Sequence, residues 1–389
     1  MHDLYFSDEG IISSKGTISA EEAVKLGRSA AMLSKRIIIG IKASSAAETL
    51  ALAFSAGALE SGADVFFTGE VSLPELFFCS DILGADFSCL IVYISSVFNS
   101  SFRFFRKGGT PLTAEEEDKL FNELPISKNP AFGTIRDVSS LRCLYFAKLK
   151  SMVSQISFEA FPYSVIINSP SSRIRKLCTE LFPDIKGENT LSFHINEDGV
   201  KVTAFTEYTG YIPCEKLISL AFKFFLSEKN EGETVFVPND FIGSAERIAE
   251  AFKIKIVRSN SAEIPFFYDK IILIVEILKI IQKTGQSLAS LCDDLPEYAE
   301  LNRYIPIERE NCIELIKKIC SEYKNGKNYN MEKNFAAGIT INDDLGKISV
   351  TPIRSGKGIM LHAESRAMES AAELCDFYEG ILRKSNGFS

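Results

Sequence analysis

Residues 196–201 read Asn-Glu-Asp-Gly-Val-Lys and gather oxygen-bearing side chains in one short stretch. A hard cation such as Mg²⁺ takes oxygen ligands and needs carboxylate charge to offset its dehydration. Asp198 with the side-chain oxygen of Asn196 supplies one anion and one amide, a poor Mg²⁺ set. Asp198-Gly199 fits an ordinary hairpin turn better. Arg354-Ser355-Gly356-Lys357 is a second group. A Ser-Gly loop with open N–H groups and two flanking cations suits a phosphate, and also a plain surface turn. Ser95 and Ser96 close the apolar run Leu90-Ile91-Val92-Tyr93-Ile94, where two hydroxyls can simply terminate a strand. The histidines His2, His194 and His362 are isolated, with none at ligand spacing from another. His194 is expected to be packed or edge-exposed rather than catalytic.

Bulk properties restrict the function classes. The chain has 389 residues, enough for two to four domains with sizeable cores. A net charge of −8 argues against a general nucleic-acid binder. Nine cysteines stand singly with no C-x-x-C pair, which suits reduced core thiols rather than disulfides or zinc. Met1 to Gly10 carries acids instead of a basic-then-apolar leader pattern. The most apolar run, Ile271 to Ile281, is too short for a bilayer and is broken by Glu276 and Lys279, so it reads as a buried helix. Together these readings predict a soluble, cytoplasmic protein with no membrane and no nucleic-acid partner. The lysines at 317, 318, 324, 327 and 333 read as a solvated linker.

The elements that must position these residues alternate between helix and strand over the first ~130 residues, as in a mostly parallel sheet covered by helices. Ser19-Ala20-Glu21-Glu22 is a capping box that opens a helix through Leu33. Arg36 to Gly40, Gly62 to Phe67 and Leu90 to Ile94 are strands, and a helix is expected from about Ala47 to Ser61. Ser164 to Asn168 is a further strand, and Ser171 or Ser172 can cap a helix over Arg173 to Leu181. Thr234 to Val237 begins another unit, with a helix over Ser244 to Phe252. Gly338 to Ile341 and Ile348 to Pro352 read as strands joined by the turn Asn342 to Gly346, followed by a helix from about Arg366 to Leu382.

The order of these glycines, prolines and apolar strands resembles the α-D-phosphohexomutases, the phosphoglucomutase/phosphomannomutase family. Gly40 to Leu50 lies on the family's G-R-D-T-R-x-S-S stretch, Ser61 to Val65 on S-G-x-D-V, and Gly69 to Pro74 on G-x-x-P-T-P. Asn196 to Lys201 lies without gaps on the metal loop D-G-D-A-D-R, and Ile353 to Gly358 on the phosphate loop R-P-S-G-T-E-P. The resemblance implies three similar α/β/α mixed-sheet domains and a smaller C-terminal α+β domain around a central cleft. The boundaries expected are 1–134, 135–232, 233–305 and 306–389.

It also implies a site in which a serine passes a phosphoryl group to a sugar phosphate with Mg²⁺. Ser95 or Ser96 would be that serine, and Arg103 would keep the charge of the family lysine in N-G-I-K-F. Arg354, Ser355, Gly356 and Lys357 would bind phosphate. The family's two arginines and aspartate fall on Ile41, Ser44 and Lys42, and the G-E-x-S-G sugar loop has no counterpart. Of the three metal carboxylates one survives as Asp198, one is Asn196 and one is Val200. The joint loss predicts a catalytically silent member that binds a phosphosugar, another anion or a protein partner, with no Mg²⁺ held at Asn196 and Asp198. An active, divergent mutase and a new chemistry in the old cleft are the competing expectations.

Overall fold

The computed structural model describes residues 4–7, 10–42, 44–121, 131–159, 161–238, 241–259, 264–296, 299–307, 312, 314–316, 319, 338–343, 345–353 and 358–385. Two compact units emerge, one from Gly10 to Leu295 and one from Pro296 to the end of the chain, with the first nine residues divided between them. The fold is mixed α/β, with two sheets that combine parallel and antiparallel strands, one parallel pair and one antiparallel sheet among the described residues.

In the first unit, the sheet from Gly10 onward runs Gly10–Ser13, Asn99–Arg106, Phe87–Ile94, Arg36–Ile41, Asp64–Glu70, Ile135–Asp137. The last four of these pair in parallel, and Asn99–Arg106 runs antiparallel to Phe87–Ile94. Ile37, Ile38 and Ile39 are fully buried, as expected for a central strand covered on both faces. The helix Ala20–Leu33 starts on the Ser19/Glu22 capping box, with Ser19 N–H donating to the Glu22 carboxylate at 2.8 Å. It crosses the helix Ser45–Glu60 so closely that backbone meets backbone. A Cβ on Gly27 would sit 2.0 Å from the Phe54 carbonyl oxygen, and one on Gly57 would sit 2.0 Å from that of Val24.

A second sheet holds Gly210–Ile212, Val202–Thr206, Asn189–Ile195 and Tyr163–Asn168 in that order, and only the last pair is parallel. A third is the parallel pair Thr234–Val237 and Lys255–Arg258. One hydrophobic core runs through both, from Tyr145 to Cys292. The apolar run around Ile271 lies in this core as the helix Lys270–Thr284, with Ile271, Leu273, Ile274, Val275 and Ile277 fully buried. Among the described residues no helix is long and apolar enough to cross a membrane.

The unit that follows carries an antiparallel sheet ordered Ala299–Ile305, Ile359–Ser365, Gly346–Pro352, Ile339–Asp343. Strand alternation puts Ile339, Ile341, Ile348, Val350, Leu361 and Ala363 into one core with the helix Met368–Ser385. The opposite face carries Asn302, His362, Ser349 and Thr340 as one cross-strand row. The lysine-rich stretch read as a linker lies outside the described residues.

Candidate functional site

The strand Arg36–Ile41 has Phe87–Ile94 on one side and Asp64–Glu70 on the other. The chain leaves it for Asp64–Glu70 and returns to Phe87–Ile94, so its carboxyl end is a point where the strand order reverses. Such points open a crevice at which α/β sheets bind ligands. Lys42 follows this strand directly, and its N–H donates to the Ile91 carbonyl at 3.0 Å. On the other flank Val71 N–H donates to the Ile41 carbonyl at 3.1 Å. Arg103 stands opposite Leu90 on the neighbouring antiparallel strand.

The loop between Asn189–Ile195 and Val202–Thr206 reaches this point. Asn196 N–H donates to the Lys201 carbonyl at 2.9 Å, and Gly199 N–H to the Asn196 carbonyl at 3.2 Å. The Asn196 side-chain oxygen Oδ1 accepts from Val200 N–H at 3.0 Å and Lys201 N–H at 2.9 Å, so the loop closes on itself. Gly199 has φ +83° and sits against Pro74, where a Cβ would lie 3.1 Å from the proline ring. Leu73 N–H donates to the Asp198 carbonyl at 3.3 Å, which ties the loop to the start of helix Leu73–Leu83. That helix is itself anchored by buried Glu75, which receives Arg173 on both carboxylate oxygens at 2.6 and 2.5 Å.

The Asp198 carboxylate is clamped by two cations. Lys42 Nζ lies 2.7 Å from Oδ1 and an Arg103 guanidinium nitrogen 2.6 Å from Oδ2. Lys42 also lies 3.3 Å from Glu197. Burial alone would push the Asp198 carboxyl up, but Arg103 and Lys42 outweigh it and hold the group below its ordinary value.

The donors at this loop do not fit a divalent cation. The Asn196 oxygen is engaged by two backbone N–H groups, both Asp198 oxygens face cations, and Val200 packs against the apolar cluster that holds Leu73 and Leu76. Among the described residues no group of three or more His, Cys, Asp or Glu side chains is arranged to hold a metal.

Of the residues singled out from sequence, Arg103, Asn196 and Asp198 therefore meet. Ser95 and Ser96 do not join them. The strand Phe87–Ile94 runs on past Leu90, and residues 95–98 form the exposed tip of a hairpin to Asn99–Arg106. Ser95 is five residues along the strand from Leu90, the partner of Arg103, or roughly 16 Å at the usual strand rise. Phe98 in this tip takes φ +47° and is 70% exposed. Arg354, Ser355, Gly356 and Lys357 lie outside the described residues.

Sequence reading missed Lys42 as a site residue. The signal was a reversed charge, a lysine where the resemblance puts an aspartate, in a chain whose 196–201 loop has an amide and a valine where the resemblance puts carboxylates. It also left His362 isolated. His362 Nδ1 lies 2.7 Å from Asn302 Oδ1 and Nε2 lies 3.1 Å from Glu364, with Lys347 3.4 Å from the same carboxylate oxygen. The Glu364 bond pushes the His362 pKa up, even though burial opposes it. The i, i+2 spacing of His362 and Glu364 on a strand was the available clue.

Comparison with known proteins follows the same lines. No protein-family model matches the chain. A phosphoglucosamine mutase from Brevibacillus brevis is 25% identical over 215 residues, covering 51% of this chain and 47% of that protein. One from Arthrobacter is 29% identical over 152 residues, 35% of this chain and 32% of that protein. The chain spans about half the length, or less, of the curated relatives it matches. A phosphoglucomutase/phosphomannomutase family protein from Burkholderia thailandensis superposes with a TM-score of 0.65 at 12% identity, covering 94% of both chains. The chain has the fold of the phosphoglucomutase/phosphomannomutase family, and about half of it is similar in sequence to phosphoglucosamine mutases. The superfamily fold extends further, to phosphoglucomutase (parafusin) from Paramecium at a TM-score of 0.61, 10% identity and coverage of 98% and 95%. An N-acetylphosphoglucosamine mutase from Aspergillus fumigatus, solved with GlcNAc-6P and magnesium, matches at a TM-score of 0.52, 9% identity and coverage of 98% and 96%. In this chain the 196–201 loop brings Asp198 to Lys42, at the end of strand Arg36–Ile41, and to Arg103 on strand Asn99–Arg106.

Proposed function

We propose that this phosphohexomutase-superfamily protein has lost turnover and acts by binding a phosphosugar or similar anion, or a protein partner that reads the occupied state. The observation that carries the reading is the clamp on Asp198. Phosphoryl transfer between sugar hydroxyls depends on positioned charge, chiefly a metal and cationic groups set around the moving phosphoryl group. Here the central loop carboxylate is spent on Lys42 and Arg103, and the loop amide is spent on its own backbone. The two candidate serines sit on an exposed hairpin tip, farther along the strand than the cations. The four segments 1–134, 135–232, 233–305 and 306–389 are part of the same reading, as is a ligand that carries phosphate, the group bound by the Aspergillus enzyme with GlcNAc-6P.

The partial likeness to phosphoglucosamine mutases favours one rival, an active but divergent mutase. The deciding experiment incubates the purified full chain with glucose 1-phosphate, mannose 1-phosphate or glucosamine 6-phosphate, Mg²⁺ and a bisphosphate activator. Calorimetry with the same sugar phosphates runs alongside. Binding without turnover supports the proposal. Turnover that disappears in Ser95→Ala or Ser96→Ala, with phosphate found on that serine by mass spectrometry, overturns it.

A further inference from the structure

We infer that Lys42 and Arg103 form a built-in cation pair that excludes divalent metal from the 196–201 loop, so that the missing carboxylates alone do not account for its chemistry. This inference concerns metal affinity and stands whether or not turnover survives.

Together the two side chains bring two positive charges to the two oxygens of one carboxylate, the charge of a single divalent ion. Both are held in place by the sheet. Lys42 is fixed through its N–H to Ile91, and Arg103 by its register opposite Leu90 and by Phe105, whose ring centre lies 5.8 Å from the guanidinium. Their side chains are only 24% and 19% exposed, and that of Asp198 is 19% exposed, so water screens the group weakly. A divalent ion entering here would meet two positive charges at close range before gaining any ligand. The loop amide is satisfied without an ion, because Asn196 Oδ1 already takes the Val200 and Lys201 N–H groups. The buried Asp198 Oδ1, without a geometrically aligned hydrogen bond, has the Lys42 ammonium 2.7 Å away as its counter-charge. Guanidinium and ammonium thus tie this loop to the end of the first sheet by ion pairing.

The inference separates two causes that sequence comparison merges. If lost carboxylates were the whole reason for poor metal binding, Asn196→Asp with Val200→Asp would restore it. If the cation pair excludes metal, that variant stays weak until Lys42 and Arg103 are neutralised. The experiment titrates Mn²⁺ into three full-length proteins by calorimetry: the native chain, Asn196→Asp/Val200→Asp, and the same pair combined with Lys42→Gln/Arg103→Gln. The expected result is at least tenfold tighter Mn²⁺ binding by the fourfold variant than by the twofold one. Equal affinity of the two overturns the inference. Should the fourfold variant fail to fold, Lys42→Gln added alone to the carboxylate pair gives the same comparison, with at least a threefold gain expected and no gain contrary to it. In the native protein, Mn²⁺ at millimolar concentration is expected to leave the Val200 and Lys201 amide signals unbroadened in NMR. Selective broadening of those two amides at micromolar Mn²⁺ also overturns the inference.

Discussion

Replacing Asp198 by Asn keeps the size of the side chain and removes the charge that two cations share. At N···O distances of 2.7 and 2.6 Å, each pair has a gross Coulomb attraction of ~6 kcal/mol at an effective dielectric of ~20. Desolvation of three partly buried ions cancels most of this in the native protein, so the cluster has only modest net value as it stands. Removal of the anion is different, because Lys42 and Arg103 remain desolvated and face each other without compensation. Glu197, 63% exposed and already 3.3 Å from Lys42, can swing in and soften the loss on that side. The expected cost is therefore ~2–3 kcal/mol, below the ~3–5 kcal/mol typical of breaking a fully buried pair. Urea denaturation gives the global change, and hydrogen exchange at Val200 and Lys201 gives the local one. A double-mutant cycle with Arg103→Met should return a coupling of about 1–3 kcal/mol. Because the Asp198 pKa is lowered in the fold, this stabilisation is complete above the ordinary value of 3.8 and is lost as pH falls through the folded value. A coupling near zero, with exchange at both amides unchanged in Asp198→Asn, would refute the ion-clamp argument.

Three further outcomes are expected. Gly57→Ala should destabilise the first unit by about 3 kcal/mol or more, since its Cβ would sit 2.0 Å from the Val24 carbonyl; a melting temperature within a degree of the native one contradicts the close helix crossing. Glu75→Gln leaves Arg173 facing an amide at the start of helix Leu73–Leu83 and should cost ~2–3 kcal/mol by denaturation, the partial exposure of Arg173 reducing the fully buried figure. His362 should titrate above its ordinary value of 6.5 in NMR, and Glu364→Gln should lower it; its stabilising contribution is complete below the unfolded value and lost as pH rises through the folded one, so an unshifted titration in Glu364→Gln goes against the pairing.

Local order was written in the sequence because local rules suffice for it. The Ser19–Glu22 capping box, the Ile37–Ile39 strand, the Ser171 cap and the apolar helix around Ile271 each depend on residues within a few positions of one another. The framework was legible for the same reason, since glycines at tight crossings and apolar strands are packing requirements that do not depend on the chemistry of a site. What only the tertiary structure decided is the use of the surviving charges. Asp198 meets an arginine 95 residues away in sequence, and Lys42 arrives from the end of another strand. No local pattern encodes such a meeting, because it follows from strand order and register. Likewise, Ser95 and Ser96 close the strand Phe87–Ile94 as the sequence suggests, whereas only the pairing with Asn99–Arg106 shows that the hairpin tip they sit in is exposed and apart from Arg103. A lone lysine or carboxylate in a sequence has no partner until the sheet assigns it one. Ion pairing acts over a few ångströms in space, and the chain alone does not measure that distance.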